Sequence, residues 1–193
     1  AGKESGPRGF PRAGSQSGRN RNQQHHVGTH AEQPQVGKNG RVQGHPDGFG
    51  FLIRDDRGED LFLNPGEMSK VLHGDRVVAR EGGLSARGRR EGQIVEVLER
   101  ANRKVVGRYL NEHGIGVVAP EDRRISQDIL IPAGATGGAK AGQVVVAEII
   151  EQPKPHARPI GRIVEVLGNY ADPGMEIEIA LRKHDLPHEF SSD

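Results

Sequence analysis

Phe49 and Phe51 stand two residues apart in the run Gly48-Phe49-Gly50-Phe51-Leu52, and Phe62 follows in Asp60-Leu61-Phe62-Leu63. Residues two apart on a strand leave the same face of its sheet, so Phe49 and Phe51 share one side. The same alternation puts Phe62 on the face opposite Leu61 and Leu63. Three of the five Phe in the chain can therefore form one surface. The competing arrangement has the rings filling a core, as Phe usually does. That would turn Leu52, Leu61 and Leu63 toward water, an apolar surface with no benefit. An outward trio is a stacking platform, on which each nucleobase gains about 1–3 kcal/mol with little sequence preference. Gly48 and Gly50, lacking side chains, would let a base or sugar-phosphate backbone come close.

Such a platform needs cations for the phosphates between the bases. The candidates are Arg41, Arg76, Arg80, Arg87, Arg89 and Arg90, with Arg103, Lys104 and Arg108 further along. An arginine can make paired bonds to phosphate oxygens, although any single one of these also reads as a solvated surface charge. Arg87-Gly88-Arg89-Arg90 is a compact basic loop with no acid inside it. His45 and His73 flank the platform, each able to stack on or bond a base, and Asn64, just past Leu63, can bond a base edge but stacks poorly. Binding of this kind weakens steeply with salt.

Metal chemistry finds little support. The chain has no Cys, which removes thiolate sites, disulfides and Cys nucleophiles. Asp55-Asp56 and Glu121-Asp122 fall in turns beside Arg57 and Arg123 and read as hairpin residues. His25, His26 and His30 form only a faint tract. No metal, cofactor or catalytic residue is expected within this chain.

The elements that must position these residues are short strands. Of 193 residues only 33% are hydrophobic and 4% aromatic, with 28 Gly and 12 Pro, so one large core is excluded. No run approaches the roughly 18 apolar residues of a membrane span, and no charged-then-apolar leader opens the chain, so a soluble, cytoplasmic chain with no membrane partner is expected. Residues 1–39 hold three Val, Ile, Leu or Phe, against thirty-seven in 40–167. The first segment is expected to be a disordered basic tail, with Arg8, Arg12, Arg19 and Arg21 spaced through it. Net charge divides as +4 over 1–39, +1 over 40–167 and −4 over 168–193.

Residues 40–167 repeat. Gly48-Phe49-Gly50-Phe51 is matched by Gly114-Ile115-Gly116-Val117, Asp60-Leu61-Phe62-Leu63 by Asp128-Ile129-Leu130-Ile131, and Ile94-Val95-Glu96-Val97-Leu98 by Ile163-Val164-Glu165-Val166-Leu167. Two copies of one domain follow, 40–100 and 101–168. Turn signals such as Pro46-Asp47-Gly48 cut each copy into five Val-rich runs. The strands are predicted near 40–45, 48–54, 60–63, 75–81 and 91–99, then near 104–111, 114–119, 128–131, 142–150 and 159–167. Short connections suggest that all are antiparallel. The fold class is all-β: two tandem five-stranded barrels of the OB type, whose closure hides the strand edges. A short helical turn is predicted at Pro65. Residues 169–193 are read as a linker, with a short helix after Pro173-Gly174 favoured by acids at its front and Arg182-Lys183-His184 at its rear.

At this point a resemblance is visible. Gly48-Phe49-Gly50-Phe51-Leu52 with Asp60-Leu61-Phe62-Leu63 resembles the paired nucleic-acid motifs of cold-shock domains. Gly40-Arg41-Val42-Gln43-Gly44-His45-Pro46-Asp47, His73-Gly74-Asp75-Arg76-Val77 and Gly88-Arg89-Arg90-Glu91 are similar to the first cold-shock domain of the bacterial ribonuclease R exoribonucleases, within the RNase II family. Val106-Gly107-Arg108-Tyr109, Asp128-Ile129-Leu130-Ile131-Pro132 and Ile163-Val164-Glu165-Val166-Leu167-Gly168 resemble the second. The likeness spans about residues 40–190.

The resemblance implies a processive 3′-to-5′ exoribonuclease, a hydrolase whose separate catalytic domain cuts single-stranded RNA with Mg held by aspartates. On that reading the chain is a piece of a larger protein, a monomer that binds RNA without cleaving it and contacts its own catalytic domain. Departures from free cold-shock proteins are the absence of Trp and Asn64 where a His closes the second motif. In the second copy the ring positions are Ile115, Val117 and Leu130, which nearly excludes stacking there. Copy one would grip bases while copy two guides phosphates or packs on the catalytic domain. The rival readings are a freestanding cold-shock-type RNA chaperone and a protein-docking OB module.

Overall fold

A computed structural model describes residues 37–185. Residues 1–36 of the expected basic tail, with the histidines at 25, 26 and 30, lie outside the described residues, while Lys38 and Asn39, assigned to that tail, belong to the first strand. Ten strands build two closed barrels. The first barrel comprises β1 (Lys38–Gly44), β2 (Gly50–Arg54), β3 (Leu61–Leu63), β4 (Arg76–Leu84) and β5 (Arg90–Glu99). The second comprises β6 (Lys104–Glu112), β7 (Ile115–Pro120), β8 (Ile129–Ile131), β9 (Gln143–Glu151) and β10 (Ile160–Asn169). Around each barrel the order is first, second, third, fifth, fourth, returning to the first.

That closure corrects one expectation. The third and fifth strands pair parallel, Phe62 with Glu91 in one barrel and Leu130 with Ile160 in the other. The fourth strand runs antiparallel along the other edge of the fifth, so the chain arrives at the seam running the same way twice.

Alternation explains the first core. Val42, Leu52, Leu61, Leu63, Val77, Ala79 and Ile94 point inward, and Met68 and Val71 cap the barrel from the connector between β3 and β4. Within that connector lies α1 (Pro65–Met68), with proline at its first turn. The second core takes Val105, Tyr109, Val118, Ile129, Ile131, Val145, Ala147 and Ile163 from its own strands, and Leu72 from the first barrel's connector.

The two barrels are locked together across the short link at Arg100–Arg103. Leu72 is 1% exposed among second-barrel side chains. The Gln127 amide donates to the Met68 and Val71 carbonyls at 3.1 and 3.0 Å. Asn102 donates to the His73 carbonyl and Gln152 to the Asn102 carbonyl. Asp75, fully buried, accepts from the amides of Leu72 (3.0 Å) and Ala101 (2.8 Å) and from the Arg100 guanidinium (3.2 Å). Burial pushes its carboxyl above the ordinary value, against the pull of those donors.

The expected helix after Pro173 is α2 (Met175–Asp185), with Glu176 and Glu178 in its first turn and Arg182, Lys183 and His184 in its last. It is no free connector: Met175 and Ile179, one turn apart, pack on Val106, Val144 and Val146 of β6 and β9.

Candidate nucleic-acid interface

The β1–β2 hairpin carries the first two rings. Gly44 pairs with Gly50, and the loop between them closes with His45 N–H donating to the Phe49 carbonyl and Gly48 N–H to the His45 carbonyl. Gly48 has φ +92°, a left-handed conformation that the tight turn requires. Phe51 then faces Phe62 directly across the β2–β3 pair.

The three rings meet outside the barrel. Their centroids are 5.7 to 5.9 Å apart in tilted and edge-to-face contacts, while Leu52, Leu61 and Leu63 are each 0% exposed in the core. The outward orientation inferred from alternation is the one present. The rings are half-buried against one another, presenting a continuous aromatic surface.

Two side chains lie over this surface. His45 stacks on Phe49 at 4.2 Å with 12° between planes, its Nδ1 accepting from the Asp47 amide. The Arg89 guanidinium sits 5.2 Å from the Phe51 centroid, which brings the basic β4–β5 loop onto the platform. Arg87 is exposed on that loop, and Arg90 reaches Glu81 at 4.0 Å.

Gly50 has a different role from the one expected. A methyl group there would lie 2.5 Å from Met68 Sδ and 2.7 Å from the Gln43 carbonyl. Its missing side chain makes room for the cap of the core, and not for a nucleotide. Asn64 is likewise engaged: Oδ1 accepts from the Glu67 amide at 3.0 Å as the N-cap of α1.

The remaining predicted cations divide. Arg41 stands two residues before Gln43, the partner of Phe51, on the outer face of β1, and donates to the Gly74 carbonyl. Arg76, its neighbour on β4, is paired with Asp55 at 2.7 Å. Arg80 is exposed on β4 beside Gln93. Arg108 covers the ring of Tyr170 at 3.5 Å on the second barrel. His73 accepts from the Gly44 amide through Nδ1.

Arg41, His73, Arg103 and Lys104 converge on a cleft of about 520 Å³ between the barrels. Arg100, Arg124, Lys183 and His184 line it as well, against Glu99 and Asp122. Sequence reasoning missed Arg124, Lys183 and His184 as members. Only Arg123, the neighbour of Arg124, was singled out, beside a turn, and the helix cations only as partners of the helix dipole. Arg124 holds the Asp122 carboxyl below the ordinary value.

Asp55, Asp56 and Asp122 in the turns are held by arginines. Asp56 takes two bonds from Arg54, which depress its carboxyl far below the usual range, while Asp55 takes Arg76.

Two OB barrels, the first with an aromatic outer face over β2 and β3, define a chain of the cold-shock type. Residues 40–97 match the family described as the ribonuclease B OB domain, and residues 118–191 match the cold shock domain family. The sequence is 47% identical over 156 residues to ribonuclease R of Acidithiobacillus ferrooxidans, covering 80% of this chain and 36% of that protein. It is 46% identical over 149 residues to ribonuclease R of Escherichia coli, covering 77% of this chain and 18% of that one. The chain therefore spans about a fifth to a third of the length of these relatives. A solved RNase R from Mycoplasma genitalium, in complex with ribose-methylated single-stranded RNA, shares the fold at TM-score 0.63 and 16% identity, over 74% of this chain and 23% of that one. The yeast pseudonuclease Ssd1 does so at 0.64 and 18%, over 77% and 25%. Matched in both barrels and in order, the chain belongs to the cold-shock region of the ribonuclease R family.

Proposed function

We propose that this region binds single-stranded RNA on the first barrel and, within a longer 3′-to-5′ exoribonuclease, feeds the strand toward a catalytic domain. The observation that carries the reading is the ring trio, turned out of a barrel whose neighbouring leucines are fully buried in the core. Stacking accepts any base, which a processive nuclease requires of its entry surface. Phosphates between stacked bases are met by Arg87, Arg89 and Arg90 from the loop. At the far end of the hairpin, Arg41 leads into the basic cleft with Arg103 and Lys104. His45 is a ring that an incoming base either displaces from Phe49 or joins.

Hydrolysis belongs elsewhere in this reading. Mg-dependent cleavage needs free carboxylates, and Asp56, Asp55 and Asp122 in the turns are engaged by Arg54, Arg76 and Arg124, a donor set that does not fit a catalytic metal. The region acts as a cytoplasmic monomer that holds RNA without cutting it.

The test is titration of the chain with an unstructured oligo(U). Phe49→Ala with Phe51→Ala is expected to cost about 1–6 kcal/mol, from one or two lost stacks. Unchanged affinity would refute the platform.

A further inference from the structure

Lys154 and Arg158 were not among the cations singled out by sequence, because each stands alone beside a proline in Lys154-Pro155-His156-Ala157-Arg158-Pro159. The fold gives them a place. They belong to the loop joining β9 and β10 of the second barrel, yet they line a groove of about 330 Å³ together with Gly48 and Pro65 of the first. Gly48 immediately precedes Phe49, so the groove opens one residue from the aromatic platform.

The loop is a preformed tip. Lys154 and Ala157 exchange two backbone hydrogen bonds at 3.1 and 3.0 Å, with His156 at φ +63° between them. This fixes Lys154 and Arg158 on either side of the turn, and both are exposed. Among the described residues neither makes an ion pair. Burial holds the Asp128 carboxyl above its ordinary value, and Arg158 lies close enough to oppose that rise. No acid lines the groove itself.

We propose that this groove is a phosphate-binding extension of the platform: a single strand stacked on Phe49, Phe51 and Phe62 continues past Gly48, where Lys154 and Arg158 of the second barrel take its backbone phosphates. The inference rests on the platform reading and adds the direction of exit. The strand then spans both barrels, with the basic cleft beyond Arg41 at one end of the platform and this groove at the other. The cross-barrel bonds of Gln127, itself in the groove wall, tie the second barrel to the first barrel's connector beside Pro65 and Met68.

The test uses the full 193-residue chain with Lys154→Ala and Arg158→Ala combined, and oligo(U) of about three and about twelve nucleotides. Two lost phosphate contacts lower the slope of log K against log salt by about 1.4, at about 0.7 per contact for single strands. Between about 50 mM and 1 M salt that slope corresponds to a weakening of up to about 60-fold at the low-salt end for the longer oligonucleotide. The shorter one, filling only the platform, is expected to bind unchanged. Unchanged slope and affinity for the longer strand, while Phe49→Ala with Phe51→Ala still abolishes binding, would overturn the groove and leave the platform standing. If the phenylalanine variant also binds normally, both fall. Equal weakening for both lengths would likewise overturn the extension, since it would place the cations at the platform.

Discussion

Asp75 is where the link between the barrels is most exposed to a single change. Asp75→Ala removes an acceptor that serves the Leu72 and Ala101 amides and the Arg100 guanidinium. Breaking a buried ion pair costs about 3–5 kcal/mol, and Arg100, 28% exposed, can turn partly to water, which selects the low end. A loss of about 3 kcal/mol in a domain of this size lowers the melting temperature by about 6–12 °C. Asp75→Asn then separates charge from hydrogen bonding. The native carboxyl is held above its ordinary value chiefly by burial. The folded state therefore keeps the proton longer than the unfolded state. The stability from this group is fully present below the ordinary carboxylate value and is lost as pH rises through the raised one. The advantage of the natural chain over Asp75→Asn should shrink as pH rises across that window, measured by thermal melts at stepped pH. A loss below about 1 kcal/mol for the alanine variant, or an advantage that grows with pH, would refute the account.

Two further substitutions test the packing by the same melts. Leu72→Ala should cost about 2–5 kcal/mol, and the loss should appear in the second barrel's transition although the residue belongs to the first barrel's connector. Gly50→Ala should cost about 1–3 kcal/mol by overpacking against Met68; a neutral effect there would return Gly50 to the role of admitting a nucleotide.

The barrels were legible because repeat spacing, alternation and turn residues are local signals that agree with one another. The parallel seams were not, since Phe62 and Glu91 are separated by a whole crossing strand, and turn chemistry reports only on hairpins. The docking of α2 left a trace that was readable: Val144-Val145-Val146-Ala147 is apolar without alternation, the mark of a strand covered on both faces. Asn64 offered one too, since Asn64-Pro65-Gly66-Glu67 is a helix-start sequence. The capping role explains why a residue placed beside the platform has its oxygen turned to the backbone. Leu72, by contrast, sits in an irregular connector where no periodicity tells which core it enters.

What separates the two copies is how each spends its outer surface. In the first, the positions of Phe49, Phe51 and Phe62 remain partly open. In the second, Val117 at the position matching Phe51 is 2% exposed, and the outer faces of Val106, Val144 and Val146 lie beneath α2. The second barrel also takes Leu72 into its core and holds the first barrel's connector through Gln127. A body committed in this way cannot reorient on a four-residue link. It fixes the angle at which Arg124 and Lys183 face Arg41 across the cleft, and it fixes the approach of Lys154 to Gly48. The aliphatic copy thus supports binding by geometry: it holds charge at set positions on both flanks of the rings, and weakening Leu72 or Asp75 should lower affinity for a long strand more than for a short one.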